Sequence, residues 1–179
     1  MTWIFSIHMI DETAIIYDDV EIGEGTNVWH FVIIRNGSRI GKNCNIGSHS
    51  RLEGECIVGD NTRFTSGVHL ARMTKVGSGC FISMGTVVAN TRQLMCQHRD
   101  EGDCDKECIA PVEIGDNVKI GVNCTILAGV KIGDNALIGA GSLVTKSVPK
   151  NSYGFGHPFK VMGNVKDLKC KDSGLLIYG

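Results

Sequence analysis

At 179 residues the chain has the length of one ordinary domain, and a formal charge of −1 removes the electrostatic case for nucleic acid or an anionic membrane surface. Aromatics make up 6% of it, low for a conventional core, while 23 Gly stand against 3 Pro, a balance that suits small side chains and tight bends.

The opening MTWIFSIHMI is apolar but short. No basic stretch precedes it, and DETAIIYDD follows where a small-residue cleavage site would stand, so no export signal is expected. No apolar run approaches the ~20 residues of a membrane span. The expectation is a soluble, cytoplasmic chain whose eight cysteines are reduced thiols.

From Ile10 the sequence steps in sixes. Ile10, Ile16, Ile22, Val28 and every sixth residue to Val88 are apolar; the pattern resumes at Ile114 and runs to Val144, twenty positions in all. Four residues beyond each stands a small or β-branched residue, as in Thr26, Ser38, Cys44 and Thr62. Gly often follows the apolar residue, as in Ile22-Gly23, Ile40-Gly41 and Ile132-Gly133. A period of six fits neither an amphipathic helix nor a long alternating strand. It fits two-residue strands joined by bends and wound into a coil, the large residue filling each face and the small one packing at the bend. Asn and Gly in GKNCN, GDNT and GDNA tolerate the left-handed backbone that such bends need. Stacked coils then pair at ~4.8 Å and bury one another's apolar layers. Cys44, Cys56, Cys80 and Cys124 all hold the small position and read as small buried hydrophobes.

The register fails once. Val88 to Ile114 is 26 residues, not a multiple of six, so with one hexad step inside it a 20-residue excursion leaves the coil. A loop of that length anchored between two repeat blocks points to function. It holds Cys96, His98, Cys104 and Cys108, four plausible zinc ligands, although the C-x-H pair is tighter than the usual spacing. A solvated loop without a metal is the plainer reading, and no metal site is assigned.

Several stretches carry a family resemblance. The repeat over roughly residues 10 to 150 resembles the hexapeptide repeat of the left-handed parallel β-helix, three hexads to a triangular coil. The left hand is implied by the family; crossovers between parallel strands otherwise favour the right hand. TNVWHF at 26–31 and SMGTVVANTRQ at 83–93 are similar to the early coil and the active-site coil of bacterial acetyltransferases that act on amino groups of nucleotide-linked sugars. GVNCTILAGVKIGDNALIGAGSLVTKSVP resembles their CoA-holding coils, and GFGHPFKVMGNV their closing segment, with His157 and Phe159 in place of its Asn and Ala.

The resemblance implies an all-β, left-handed parallel β-helix over residues 1–162, with a protruding loop at about 91–109 and a C-terminal tail at 163–179. It implies a homotrimer with active sites between subunits and acetyl-CoA as acyl donor. Asn90 is the residue matching the family's active-site Asn, and His98 on the excursion is the histidine placed to serve as base. Trp29 and His30 of the WHF motif, with Arg35, are expected at the acceptor. Ala128, Gly129, Ala140 and Gly141 let CoA approach backbone amides, and Lys146 and Lys160 are placed for its phosphates. Two rival acceptors stay open, an amino group and a sugar hydroxyl. Two rival classes also stay open: a zinc β-helix carbonic anhydrase, disfavoured because no closely spaced His pair occurs among the six histidines, and a non-catalytic assembly module.

Overall fold

A computed structural model describes residues 9–92 and 108–169. Two-residue strands alternate with bends, and three faces result. Face I stacks β1 (Ile15–Ile16), β4 (Ile33–Ile34), β7 (Arg51–Leu52), β10 (His69–Leu70), β13 (Val87–Val88), β16 (Thr125–Ile126) and β19 (Leu143–Val144). Face II stacks β2 (Glu21–Ile22), β5 (Arg39–Ile40), β8 (Ile57–Val58), β11 (Lys75–Val76), β14 (Glu113–Ile114) and β17 (Lys131–Ile132). Face III stacks β3 (Asn27–Val28), β6 (Asn45–Ile46), β9 (Arg63–Phe64), β12 (Phe81–Ile82), β15 (Lys119–Ile120) and β18 (Leu137–Ile138). It is closed by β20 (Ser152–Phe155) and an antiparallel β21 (Lys160–Asn164). The fold is the all-β, parallel β-helix expected from the hexads, with the left hand that the family resemblance implied.

The register explains the period. Ile16 pairs with Ile34 and Ile34 with Leu52, so each coil places its large residue above that of the coil below. Ile34, Ile46, Leu52, Phe64, Leu70, Ile82, Ile126 and Ile138 are all 0–1% exposed. The second strand residue of each pair is therefore the core, and the first faces outward. On face II the outward residues are mainly charged and pair along the stack, Arg39 with Glu21 at 3.4 Å and Lys131 with Glu113 at 2.9 Å. On face I they are largely apolar, with Ile15 and Val87 exposed.

The small positions form donor ladders as well as filler. At the edge between faces II and III, Thr26 Oγ1 donates to the Gly41 carbonyl (2.7 Å) and accepts the Cys44 N–H (2.9 Å). Cys44 Sγ donates to the Gly59 carbonyl at 3.1 Å, Thr62 Oγ1 to Gly77 at 2.8 Å, and Cys80 Sγ to Gly115 at 3.1 Å. Thr and Cys alternate over these four coils, and each supplies one short donor to a part-buried glycine carbonyl of the next coil. Burial raises the Cys44 and Cys124 thiols and pushes Cys56 and Cys80 up to about 11, so all four are neutral packing groups.

The excursion has the length the register requires. Lys75 on β11 pairs with Ile57 18 positions before it, but with Glu113 38 positions after it, so twenty residues are added to one coil. Its base is stitched shut. Thr91 bridges Ile109 antiparallel, Arg92 N–H donates to Cys108 O at 2.9 Å, and Ala110 N–H to Asn90 O at 2.6 Å.

Candidate active site

Most of the residues singled out from the sequence fall on two edges of face I. Where the chain turns from face I to face II, residues one coil apart stand in columns. Arg72, Asn90, Ala128 and Lys146 occupy successive rungs of one such column, because β10, β13, β16 and β19 are in register. In the coils before it, the residue after this position donates its N–H down the stack, Glu55 to Asn36 O at 2.8 Å and Met73 to Gly54 O at 3.0 Å. At the excursion the Asn90 side chain takes over that rung: its Nδ2 donates to Arg72 O at 3.1 Å. Its Oδ1 accepts from Thr91 Oγ1 at 3.2 Å. The side chain is thus fixed by its amide end, and its carbonyl oxygen keeps a further lone pair for a ligand N–H or O–H.

Ala128 lies one rung beyond Asn90 and is half-buried. No backbone partner takes its N–H among the described residues, whereas Gly129 N–H is committed to Ala110 O at 2.7 Å. Gly129 has φ +75°, and a side-chain carbon there would run into the Arg92 guanidinium, which lies over it. The positive φ is what favours glycine at that point, since the Arg92 side-chain end could move aside. Lys146 is exposed one rung further on. Asn90, Ala128, Gly129 and Lys146 are therefore brought together, with Arg92 added by the structure.

Arg35 lies on the same edge, at the rung three below Asn90, about 14 Å along the axis. Its Nη1 donates to Glu53 Oε2 at 3.0 Å, and its guanidinium sits 5.9 Å from the Tyr17 ring centre. Glu53 also pairs with Arg51 and with His69 Nε2, the latter at 3.2 Å. Partial burial raises the Glu53 carboxyl, but the bonds from Arg35 and Arg51 outweigh it and leave the group below the ordinary glutamate range. Glu53 thus ties Arg35, Arg51 and His69 into one cluster.

The opposite edge, between faces III and I, carries Trp29 and His30. Trp29 Nε1 donates to Asn45 Oδ1 at 2.7 Å, and His30 Nδ1 lies 2.7 Å from Asp11 Oδ2. The Thr13 hydroxyl, then the Thr13 N–H, then His30 hold Asp11 below its ordinary value against the opposing effect of burial. Phe31 and His49 follow with stacked rings, 5.1 Å between centres and 24° between planes. Ala140 and Gly141 share this edge but stand five rungs from His30, about 24 Å along the axis. Lys160, on β21, is exposed near them, where Phe159 N–H donates to Leu143 O at 2.8 Å. So Trp29 and His30 are separated from Arg35 and Asn90 by the width of face I, and from Ala140, Gly141 and Lys160 by the length of the helix.

His98 lies outside the described residues, as do Cys96 and Cys104; Cys108 lies within them and is buried. Among the described residues no cluster of three or more metal-ligating side chains occurs. Asp11, Phe31, His49, His69 and Arg92 were not singled out from sequence. The 18-residue coil length, applied to charged residues, would have paired Arg35 with Glu53.

Residues 111–146 match the family model described as bacterial transferase hexapeptide (six repeats), and residues 37–70 match that described as hexapeptide repeat of succinyl-transferase. The chain is 35% identical over 146 residues to the bifunctional protein GlmU of Clostridium botulinum, covering 80% of this chain and 28% of that protein. It thus spans less than a third of the first curated relatives it matches. A galactoside acetyltransferase solved in complex with coenzyme A superposes with a TM-score of 0.58 at 29% identity, over 67% of this chain and 62% of that one. AntD, an N-acyltransferase from Bacillus cereus solved with dTDP and 3-hydroxybutyryl-CoA, superposes at 0.53 and 20% identity, over 86% and 77% of the two chains. That last likeness is one of fold. No helix among the described residues is long and apolar enough to cross a membrane.

Proposed function

Starting from a chain that is a hexapeptide-repeat, left-handed β-helix, we propose that it moves an acetyl group from acetyl-CoA to the amino group of a nucleotide-linked sugar. The observation that carries this reading is the column of Asn90, Ala128 and Lys146 at the root of the excursion. The amine nitrogen attacks the thioester carbonyl and the C–N bond forms; the C–S bond then breaks, and the departing CoA thiolate takes up the proton that the nitrogen sheds. Asn90 Oδ1 accepts an N–H of the attacking amine and aims its lone pair. The Ala128 N–H is the donor placed for the oxyanion. Asn90 holds no proton-accepting group of its own, so the amine must arrive unprotonated. Ala128, Gly129, Ala140 and Gly141 would let CoA lie close to the backbone, and Lys146 and Lys160 would meet its phosphates.

The molecule acts as a homotrimer in the cytoplasm, in the making of surface polysaccharide. Face I, apolar at Ile15, Ile33, Val87 and Leu143, supports the trimer, since turning it toward a threefold axis covers those side chains. It also sets each subunit's Trp29 edge against the Asn90 edge of the next, which joins two half-sites that one subunit holds apart.

A hydroxyl acceptor is the second reading. It needs a base, and His69 held by Glu53 on face I supports it alongside His98. A panel of nucleotide-linked amino sugars, their hydroxyl counterparts and unlinked sugars, incubated with acetyl-CoA and followed by free thiol release, tests both. Release with an amino sugar, leaving an acid-stable amide, is expected. Release only with hydroxyl sugars moves the assignment to O-acetylation. No release and no CoA binding leaves an assembly module.

A further inference from the structure

The bends between faces III and I form a column at φ between +54° and +69°: Phe31, His49, Gly67, Gly85, Asn123 and Gly141. Four of these six are Gly or Asn, the residues that adopt this backbone with little strain. Phe31 is the marked departure, since His, as at His49, tolerates this backbone better than other large residues. A bulky aromatic at positive φ is a true outlier, and strain of this kind persists where something else requires the side chain. The coil does not require it, because Gly serves the same bend two rungs on. Nor does the core, because Phe31 is 55% exposed. The strained conformation is nevertheless secured: Phe31 N–H donates to Thr13 Oγ1 at 2.9 Å, and His49 N–H to His30 O at 2.9 Å. The two rings stack on each other, and Trp29 beside them is locked through Asn45. In a chain with 6% aromatics, this corner holds a rigid, solvent-facing aromatic surface.

We propose that the Phe31–His49 stack is the platform on which the base of the nucleotide-linked acceptor lies. Bases bind flat on aromatic faces with little regard to sequence. The placement suits a ligand that is long and anionic in the middle. The Phe31 rung is level with Arg35, and Asn90 stands three rungs further along the axis, about 14 Å away. Across the subunit boundary proposed above, where this edge meets the opposite edge of the neighbouring subunit, a base on the platform leaves its diphosphate beside that subunit's Arg35–Glu53–Arg51 cluster and its sugar pointing toward that subunit's Asn90. The inference rests on the nucleotide-linked acceptor proposed above, and it adds the subsite that reads the nucleotide.

The test is calorimetric, on the intact chain, with uridine, thymidine, guanosine and cytidine diphosphates as probes and CoA as a separate titrant. Phe31→Gly restores the residue that suits the bend, so its melting temperature is expected to hold or rise. Its affinity for the best-bound nucleoside diphosphate is expected to fall tenfold or more, with CoA affinity unchanged. Phe31→Trp, which keeps a stacking face, retains most of the affinity. A wild-type protein that binds a nucleoside diphosphate and a Phe31→Gly variant that binds it equally well overturn the platform alone. Loss of CoA affinity with nucleoside diphosphate binding intact also overturns it, since the stack then serves the adenine of the donor. A wild-type protein that binds none of the four diphosphates overturns the nucleotide-linked acceptor and the platform together.

Discussion

Asn90 does two jobs through two ends of one amide. Its Nδ2 replaces the backbone rung lost where the chain leaves the coil, and its Oδ1, which accepts from Thr91 Oγ1, keeps a lone pair for the proposed acceptor. Asn90→Ala therefore removes both. Stability is expected to fall by about 1 kcal/mol, the worth of one hydrogen bond, while turnover falls by tenfold or more. Comparing melting temperature with kcat separates the two, because a stability loss of that size leaves nearly all molecules folded. Wild-type kcat in the folded variant would sink the assignment. Glu53 is a residue of another kind, visible in the sequence only as an outward charge. Its meaning came from the partners that stacking supplies. Because its folded carboxyl lies below the ordinary value, its stabilising effect is complete above that value and is lost as pH falls through the folded one. The melting temperature of Glu53→Gln should lie below wild type near neutral pH, and the gap should close in acid below about pH 4.3. A gap that stays constant into acid shows that the carboxylate's charge is not what matters there.

At the scale of the hexad, almost everything was legible beforehand. A two-residue strand with one inward side chain leaves little freedom: the sixth residue must be apolar, and the fourth after it must fit a bend. The 20-residue length of the excursion followed from the same arithmetic once one hexad step is taken between Val88 and Ile114, and the pairing of Lys75 with Ile57 and Glu113 agrees with it. The donor role of the small position was less legible, since Thr, Ser, Cys, Val and Ala share it and only the first three donate. The buried cysteines were placed correctly as packing groups, and their chemistry follows from that placement. Cys44, Cys56, Cys80 and Cys124 are at most 1% exposed. With Cys56 and Cys80 raised to about 11, thiolate is scarce at any working pH. In native protein these four should resist alkylation at pH 8 for as long as the coil holds, and all should react once denaturant unfolds it. Mass spectrometry of modified peptides reads this directly. Modification of Cys56 or Cys80 on the timescale of an exposed thiol would mean that the helix opens far more readily than its packing indicates.

At the scale of the whole molecule, the sequence could not show which residues meet. Asn90 and Arg35, 55 positions apart, share an edge, whereas Trp29 and Arg35, six apart, stand on opposite edges of face I. A period-six pattern fixes which side chains point inward, but only the number of coils between two residues fixes their distance. Nor does any hexad reveal how faces meet between subunits, because outward residues are free of the repeat's constraint. The contrast between a charged face II and a largely apolar face I makes face I the surface that the proposed trimer would cover. If three copies turn face I toward a common axis, each site draws Asn90 from one subunit and Trp29 and His30 from its neighbour. Mixed assemblies test this sharply. Asn90→Ala and His30→Ala proteins, each nearly inactive alone, are unfolded together and refolded as a mixture so that subunits exchange. A mixed trimer then contains interfaces at which an intact Asn90 edge meets an intact His30 edge, and thiol release should return to roughly a quarter of wild type, because each mutated edge is absent from half the subunits. Activity that stays at the level of the separate variants would mean that both edges serve a site within one subunit, and the trimer would then matter for stability alone.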